Sequence, residues 1–562
     1  MSPPLIARAA RTVARTGTRV CASSLFIFAA LAWLASPAHA RDDYPRRGWI
    51  DATDYTISLT IPEAGDEIRA ETTIAFRLKS NDPRELPLDF GSLTVDSVTV
   101  NERATGFKHE GERLLVSLAS GYRNGDILRV SVKYHGRPSD GLFFKRNKFG
   151  ERTIFADNWP NRAHHWFPSI DHPYDKAKVT FVVTAPARYG VVANGSLFQT
   201  NAGPNGTRIF IWRESIEIPV YCMVIGVTEF SVVDAGSFDA KRLSYYLYPK
   251  DRDNGIHDYG RALRAADYLR SIIGPYPYEK LALVESSTRF GGMENSSSIF
   301  FDENAYDGSG RLEGTVAHEI AHQWFGDSVT EKDWNHLWLS EGFATYFGAL
   351  FFEHADGRAR FLEVMRGARD RYVNDSDAVA RPIYDPTEKD LFKLLNRNNY
   401  EKGAWVLHML RYVMGDKKFF EGIRDYYQTF RDGNADTQDF QRVMERHYGR
   451  TLYWFFHQWI DEPGFPVYVV RWAWIDRMDQ TCVNVVQVRH EAFYRMPLVV
   501  ELKTGSEVRR ETVEPKQPDQ VFCFNQRSKP QSVSVDPDEW VLKTMTLEEE
   551  TQRRFRAPSK KL

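Results

Sequence analysis

Two histidines and a glutamate stand at helical spacing near the middle of the chain, where residues 318–322 read His-Glu-Ile-Ala-His. On a helix, residues four apart lie on one face, so His318 and His322 can bind one metal ion with Glu319 beside them. The same pattern also occurs by chance on exposed amphipathic helices. Here the intervening residues are apolar and Trp-Phe follows at 324–325, which predicts a buried helix whose polar side chains need partners. The segment therefore predicts a zinc site.

A third ligand is available in the apolar segment 338–344, which reads Trp-Leu-Ser-Glu-Gly-Phe-Ala. Glu341 lies 19 positions after His322, a separation that suits a helix, a turn and a returning helix. A catalytic zinc uses three protein ligands and keeps one position open for water. Glu341 could instead join an ion pair or cap a helix, but its apolar surroundings favour a metal partner.

Upstream, residues 290–295 read Phe-Gly-Gly-Met-Glu-Asn and precede the apolar segment 299–301. Two adjacent glycines let a backbone approach a ligand closely, and an acid, Glu294, follows two positions later. A glycine pair alone indicates only a turn or a bulge. Beside a metal-binding helix it predicts a substrate-binding segment.

Taken together, these motifs resemble the zinc aminopeptidases that include membrane alanyl aminopeptidase and leukotriene hydrolase. The order is the same, with GGMEN at 291–295, HEIAH at 318–322 and WLSEGFA at 338–344. Shorter matches extend the resemblance over roughly residues 155–470: YEKGA at 400–404, Trp459 with GFP at 464–466, and WFP at 166–168 with Asp171, Pro173, Lys176 and Ala177. The short secreted bacterial members are the most similar in layout.

The resemblance implies a chemical role for each matching residue. His318, His322 and Glu341 would bind one zinc ion per chain, and Glu319 would act as general base on the attacking water. Tyr400 would donate a hydrogen bond to the oxyanion that forms at the first peptide bond. The implied enzyme is a hydrolase, a zinc-dependent aminopeptidase whose substrates are peptides with a free amino terminus.

The resemblance also implies how the substrate is held. Glu294 would pair with the ammonium group of the substrate, because a buried carboxylate needs a cationic partner. The substrate backbone would be held in an extended pose by the surrounding residues Gly291, Gly292, Met293 and Asn295.

Two departures from the family pattern bear on this expectation. Many members add a Gln-x-Glu pair from the N-terminal domain, and the aligned positions here are Asp157 and Trp159. Asp157 would supply part of that pair, whereas Trp159 would line the pocket for the first side chain or simply pack. The chain also lacks the helical C-terminal domain of larger relatives, which favours an open site and disfavours the lipid epoxide reaction.

Two further functions compete with the aminopeptidase. A thermolysin-like zinc endopeptidase shares the HExxH pattern and a downstream glutamate, and the GGMEN segment argues against it. A non-catalytic peptide-binding relic would be expected to have lost a ligand or the base. All five of those residues are present, namely His318, Glu319, His322, Glu341 and Tyr400.

Three regions with different hydrophobic periodicity follow one another along the chain, and together they predict an α+β multidomain fold. Alternating segments such as 55–61 predict an N-terminal β domain over 41–237. A period near 3.6 predicts a mostly helical catalytic domain over 238–462, thermolysin-like by the resemblance. Alternation returns in a short C-terminal β domain over 463–545, and the charged tail 546–562 is predicted to be disordered.

The first forty residues have the pattern of a signal peptide. Four arginines precede an apolar core at 25–34, and Ala-His-Ala follows at 38–40. An uncleaved anchor is the alternative, but the apolar core is shorter than the roughly 20 residues that span a bilayer. We therefore expect secretion across the inner membrane into the periplasm, and no membrane-spanning segment in the mature chain.

The composition of the chain restricts the kinds of partner it can bind. A formal net charge of −2 and 26% charged residues disfavour nucleic acid as a partner. The sequence does not indicate an oligomeric state.

Three cysteines follow the predicted signal peptide. Cys222 lies in an apolar run and is expected in the core. Cys482 and Cys523 would be able to pair in an oxidising compartment, although their spacing alone does not establish the bridge.

Overall fold

The computed structural model describes residues 42–488 and 493–551. The predicted signal peptide at 1–40 and residues 552–562 of the predicted tail lie outside the described residues. From Asp42 onward the described chain forms one unit, in which strand-rich segments flank a mostly helical one.

Alternating apolar residues build the N-terminal sheets. Tyr55, Ile57 and Leu59 are buried while the residues between them are partly exposed, as a strand with one face on the core requires. The strands are β1 (Ile50–Thr60), β2 (Ile68–Leu78), β3 (Glu85–Asp89), β4 (Thr94–Val100), β5 (Arg103–Ala104), β6 (Phe107–Glu110), β7 (Arg113–Ser117), β8 (Ile127–Gly136), β9 (Leu142–Arg146), β10 (Arg152–Ala156), β11 (Lys176–Pro186), β12 (Gly190–Ala193), β13 (Ser196–Ala202), β14 (Thr207–Pro219) and β15 (Ile225–Thr228).

These strands form three sheets. The largest has the order β13-β14-β11-β1-β2-β8-β4-β5, with β1 parallel to β11 and antiparallel to β2. The two smaller sheets have the orders β12-β15-β10-β9 and β3-β7-β6. The strands predicted for the N-terminal region are confirmed.

The middle of the chain carries the helices. Its elements are β16 (Ser231–Phe238), β17 (Lys241–Leu247), α1 (Arg252–Asp258), α2 (Ala262–Ile273), β18 (Lys280–Ser286), β19 (Gly292–Met293), β20 (Ser298–Asp302), α3 (Glu313–His322), β21 (Val329–Glu331), α4 (Trp338–Asp356), α5 (Arg358–Val373), α6 (Ser376–Val379), α7 (Gly403–Met414), α8 (Asp416–Phe430), β22 (Gly433–Ala435), α9 (Thr437–Tyr448) and α10 (Tyr453–Phe456). The helical period of the sequence in this region is confirmed.

One sheet and two helices position the candidate site. The sheet has the order β16-β17-β18-β20-β19, so β19 lies at its edge with Gly292 opposite Phe301 of β20. Helix α4 is apolar around most of its circumference and is buried accordingly. It packs against α3, and Gly348 permits the close approach, because a Cβ there would lie 3.3 Å from the His318 backbone nitrogen.

The C-terminal segment returns to strands. They are β23 (Val467–Ile475), β24 (Gln480–Gln487), β25 (Leu498–Thr504), β26 (Glu507–Val513), β27 (Asp519–Asn525), β28 (Ser532–Val535) and β29 (Thr544–Glu549). They form sheets of order β27-β24-β23-β29 and β26-β25-β28. Strand β29 continues past residue 545, where the sequence placed the start of a disordered tail, because it pairs in parallel with β23. The predicted α+β multidomain fold class is confirmed.

The cysteine pair joins two neighbouring C-terminal strands. Cys482 of β24 lies directly opposite Cys523 of β27, and the two form a disulfide. The pairing that the sequence left open is therefore present. Cys222 is buried and free, as expected.

In the described part of the chain, we find no helix that is both long and apolar enough to cross a bilayer.

Candidate metal centre and active site

Three donor atoms converge between α3 and α4. The Nε2 atoms of His318 and His322 lie 3.0 Å apart, and Oε2 of Glu341 lies 3.2 Å from each of them. Ligands placed about 2.0–2.1 Å from a tetrahedral zinc are separated by about 3.3 Å. The two imidazoles and the carboxylate therefore fit a zinc ion with little movement, and the structure brings the three predicted ligands together.

Contacts behind the ligands fix their orientation. The Nδ1–H of His322 donates to the Phe325 carbonyl at 3.1 Å, and the Ser340 hydroxyl lies 3.0 Å from the same nitrogen. These contacts leave Nε2 of His322 free to bind a metal. The turn that carries Phe325 depends on Gly326, which has a φ of +114° and a position where a Cβ would overlap Ser340.

Glu319 lies beside the three ligands, and the Gly292 backbone packs against its side chain. It is buried, and within the described residues its Oε2 atom has no hydrogen-bond partner. Burial raises the pKa of Glu319 well above its ordinary value, His322 opposes that rise, and the Glu294 carboxylate adds to it. A carboxylate with a raised pKa and a free oxygen is suited to exchange a proton with a bound water.

Gly292 of the edge strand β19 crosses directly over this carboxylate. A Cβ at position 292 would overlap the outer atoms of the Glu319 side chain, so any residue larger than glycine would push that carboxylate out of its present position. The neighbouring Gly291 has open space where a Cβ would stand. The two glycines of the motif therefore differ: a side chain at position 292 would meet Glu319, whereas one at position 291 would meet open space.

Glu294 adds a second buried acid close to Glu319. Its carboxylate belongs to a group with Glu319 and His322 whose donor atoms all lie within 4.8 Å of one another. Among the described residues, no lysine or arginine pairs with it. Burial raises the pKa of Glu294 to about 7, so the site favours a cationic partner.

Tyr400 contacts two of the three predicted metal ligands. It lies in a π-helical turn, Asn398–Lys402, that leads into α7. Its hydroxyl donates to Oε1 of Glu341 at 2.8 Å, and its ring stacks on His318 with centroids 5.9 Å apart. The predicted Tyr400 is thus placed within one hydrogen bond of a metal ligand.

A cavity of about 400 Å³ opens onto these groups. One wall holds the ligands, Glu319 and Glu294, and another is apolar, with Trp159, Phe290 and Leu395. Trp159 meets Phe290 and Phe392 edge to face at centroid distances of 6.1 and 5.5 Å. The cavity therefore combines a hydrolytic donor set with an apolar pocket and a buried acid.

Comparison with known proteins decides the family. Residues 263–459 match the profile of the peptidase family M1 domain, and residues 51–222 match that of the peptidase M1 N-terminal domain. The chain belongs to peptidase family M1.

Relatives of this M1 chain include the Tricorn protease-interacting factor F2 of Thermoplasma acidophilum, 29% identical over 76% of this chain and 55% of that protein. The glutamyl aminopeptidase of Rattus norvegicus is 25% identical over 75% of this chain and 48% of that protein. The M1 chain thus spans about half the length of these relatives. A crystal structure of an M1 zinc metallopeptidase mutant from Deinococcus radiodurans shares the fold, with a TM-score of 0.64, 23% identity, and coverage of 75% of this chain and 96% of that one.

Two predicted substrate-binding residues of this M1 chain do not reach the cavity. Asp157 is buried and forms an ion pair with Arg162, five residues further along. Asn295 is also buried, with its amide 3.5 Å from the Met293 carbonyl. By contrast, Gly291, Gly292 and Met293 line the cavity. Asp157 still acts electrostatically on Glu294, so its role toward the substrate amine stays a prediction, and Trp159 lines the cavity.

Sequence reasoning missed Gln323, which ties the metal helix to the substrate segment. Its amide donates to the Glu294 carbonyl at 2.6 Å and to Asp327 at 2.8 Å, and its carbonyl accepts from the Ser297 backbone at 2.8 Å. The available signal was a polar residue directly after His322 in an otherwise apolar stretch. Gln323 therefore fixes the position of the Glu294 backbone relative to helix α3, which carries two of the metal ligands.

A substitution at Gly292 tests the close contact with Glu319. We expect Gly292→Ala to lower turnover by about 10²-fold, because displacement of a catalytic group by about 1 Å has that cost. Metal content should stay unchanged, since Gly292 touches no ligand. Gly291→Ala is the matched control for turnover, because its new methyl group meets open space rather than Glu319, and crowding of the substrate backbone there should raise KM and leave kcat unchanged. Equal losses in the two variants, measured as kcat on one substrate, would contradict the steric account.

Proposed function

We propose that this chain is a zinc-dependent aminopeptidase that hydrolyses the first peptide bond of peptides with a free amino terminus. The observation that carries the proposal is the position of Glu294, a buried acid in one 4.8 Å group with Glu319 and His322. An acid at this position would attract the ammonium group of a substrate to the side of the hydrolytic centre. Names among the relatives, such as glutamyl aminopeptidase, support the same activity.

Each residue of the site has a separate role in the proposed hydrolysis. His318, His322 and Glu341 would hold the zinc ion. The chemistry that zinc supplies when bound is activation of a water molecule and polarisation of the scissile carbonyl. Glu319 takes the proton of the attacking water and delivers it to the leaving amine. The Tyr400 hydroxyl turns from Glu341 to donate to the oxyanion that forms on the substrate.

The edge position of β19 explains how the peptide is held. An edge strand has backbone N–H and C=O groups available, and an extended peptide can pair with them as an added strand. Gly291 and Gly292 let the substrate backbone approach closely. The substrate then runs past Glu319 and ends with its amino group at Glu294.

A thermolysin-like endopeptidase is the second candidate, because the His-Glu-x-x-His helix and Glu341 would serve both reactions. The two differ at the amino end of the substrate. A mid-chain peptide carries no charge to match Glu294 and would leave that buried carboxylate without a partner. The geometry therefore favours cleavage next to a free amino terminus.

The direct test is metal removal combined with substrate blocking. We expect a chelator to abolish hydrolysis of an amino-acid arylamide and added zinc to restore it. The N-acetylated form of the same arylamide should be a poor substrate for the restored enzyme. Full activity in protein with no detectable metal would reject the zinc enzyme. Equal cleavage of blocked and free substrates, with internal peptide bonds cut, would favour the endopeptidase.

We also propose that the mature protein is secreted to the periplasm after cleavage behind Ala40. The Ala-His-Ala pattern at 38–40 supports cleavage, and a disulfide suits an oxidising compartment. Sequencing of the mature amino terminus should begin at Arg41. A thiol assay on the denatured, unreduced protein should find one reactive group, from Cys222. A blocked or uncut leader, or three free thiols, would contradict the proposal.

A further inference from the structure

A second group of metal-ligating side chains lies in the N-terminal part of the chain. Glu112, His164 and His165 place one donor atom each within 4.8 Å of one another. The two histidines are consecutive in a 3₁₀ turn, Ala163–His165, and Glu112 lies in the tight turn between β6 and β7. None of these residues belongs to the cavity at α3 and α4.

A buried carboxylate orients His164. Nδ1 of His164 donates to Oδ2 of Asp171 at 2.7 Å, and both residues are buried. This bond leaves Nε2 of His164 as the free ring nitrogen, and Nε2 lies 3.7 Å from Oε2 of Glu112. Histidines that bind metals in proteins commonly donate their other ring N–H to a carboxylate in this way.

His165 is held against its neighbour by close packing. Its ring centroid lies 4.1 Å from that of His164, with the planes tilted by 37°. The turn fits against the end of β3 because residue 91 is glycine, where a Cβ would stand 2.9 Å from Nδ1 of His165. The Gly91 backbone also donates to the His164 carbonyl at 2.7 Å. The pair of imidazoles is thus built into the fold.

Two carboxylates face the pair. Oδ2 of Asp171 lies 2.7 Å from Nδ1 of His164, and Oε2 of Glu112 lies 3.7 Å from its Nε2. Arg162, two residues before His164, is engaged by Asp140 and Asp157. A metal ion held by the imidazoles and Glu112 would therefore meet negative charge.

We propose that Glu112, His164 and His165 form a second binding site, for a divalent transition metal ion such as Zn²⁺ or Cu²⁺. Two imidazole nitrogens and one carboxylate suit these ions rather than Ca²⁺ or Mg²⁺, which prefer oxygen ligands. The carboxylate of Glu112 is mostly exposed and can move the short distance that ligation requires, since tetrahedral ligands lie about 3.3 Å apart. Solvent completes the coordination.

Metal counting on the mature enzyme tests the proposal. With the catalytic centre loaded with zinc, equilibrium dialysis against micromolar Zn²⁺ should leave two ions per chain, measured by plasma mass spectrometry. His165→Ala and Glu112→Gln should each reduce the count to one while hydrolysis of an arylamide stays unchanged. His135→Ala is the matched control, since His135 pairs with Asp96 on the same domain and should keep two ions.

Copper supplies a spectroscopic readout independent of activity. Cu²⁺ added after the catalytic zinc should give a paramagnetic resonance spectrum with coupling to two nitrogens, and His165→Ala should abolish this two-nitrogen spectrum. Asp171→Asn, checked for an unchanged melting temperature, should weaken the second site by about 10- to 100-fold, as loss of an orienting partner does. One ion per chain in the natural protein, or an unchanged second ion in the His165 and Glu112 variants, would overturn the site.

Discussion

Glu319→Gln should lower turnover by about 10²- to 10⁴-fold, the usual contribution of a general base. Glutamine keeps the size of the side chain and its fit beneath Gly292, but its amide cannot take a proton from water. Glu319 is not one of the three converging ligands, so the variant should keep its metal.

The experiment measures kcat and metal content on the same preparation. Glu313→Gln is the matched control on helix α3, because Glu313 pairs with Arg261 at the partly exposed end of that helix. It should have natural turnover. Near-natural turnover in a fully metal-loaded Glu319→Gln protein would remove Glu319 from the role of base.

Glu294→Ala should cost mainly the reaction of free-amine substrates, by about 2 to 5 kcal/mol in transition-state stabilisation, as for other desolvated charge pairs. The buried carboxylate attracts an ammonium group that exists only on an unblocked amino terminus. Its removal also takes away the penalty that a blocked peptide meets in the natural site. The ratio of kcat/KM for free and acetylated substrates should therefore fall sharply.

That ratio is an internal control, because both substrates use the same metal and the same base. Glu294→Gln separates charge from shape and should behave like the alanine variant. Metal content should not change in either protein. A ratio that stays at its natural value in both variants would show that Glu294 does not select the amino terminus.

The metal ligands were predictable because their spacing has a local physical meaning. Residues 318 and 322 must share a helix face, and the apolar segment around Glu341 required a buried return helix. Tyr400 was different, since an isolated tyrosine is most often a packing residue. Its role followed from the resemblance alone, and its π-helical turn has no period that the sequence analysis could read.

Two features of the structure depend on contacts that no local sequence pattern encodes. Asp157 matched a family position, but its charge is taken up by Arg162, and only the folded chain shows that pairing. Residues 546–549, the second part of strand β29, were assigned to a tail that its charged composition predicted to be disordered. The partner strand β23 lies more than seventy residues earlier in the chain, beyond the reach of a periodicity argument.

The ligands of the metal centre sit on two helices that are packed in a large apolar core, and His322 is also bonded to Phe325 and Ser340. In small zinc domains the ion supplies the free energy of folding, so its removal unfolds the chain. The core around α3 and α4 is much larger than the ligand set, so we expect chelation to abolish hydrolysis while the helical circular dichroism and the melting transition persist. The availability of zinc would then control the activity of a folded pool of protein.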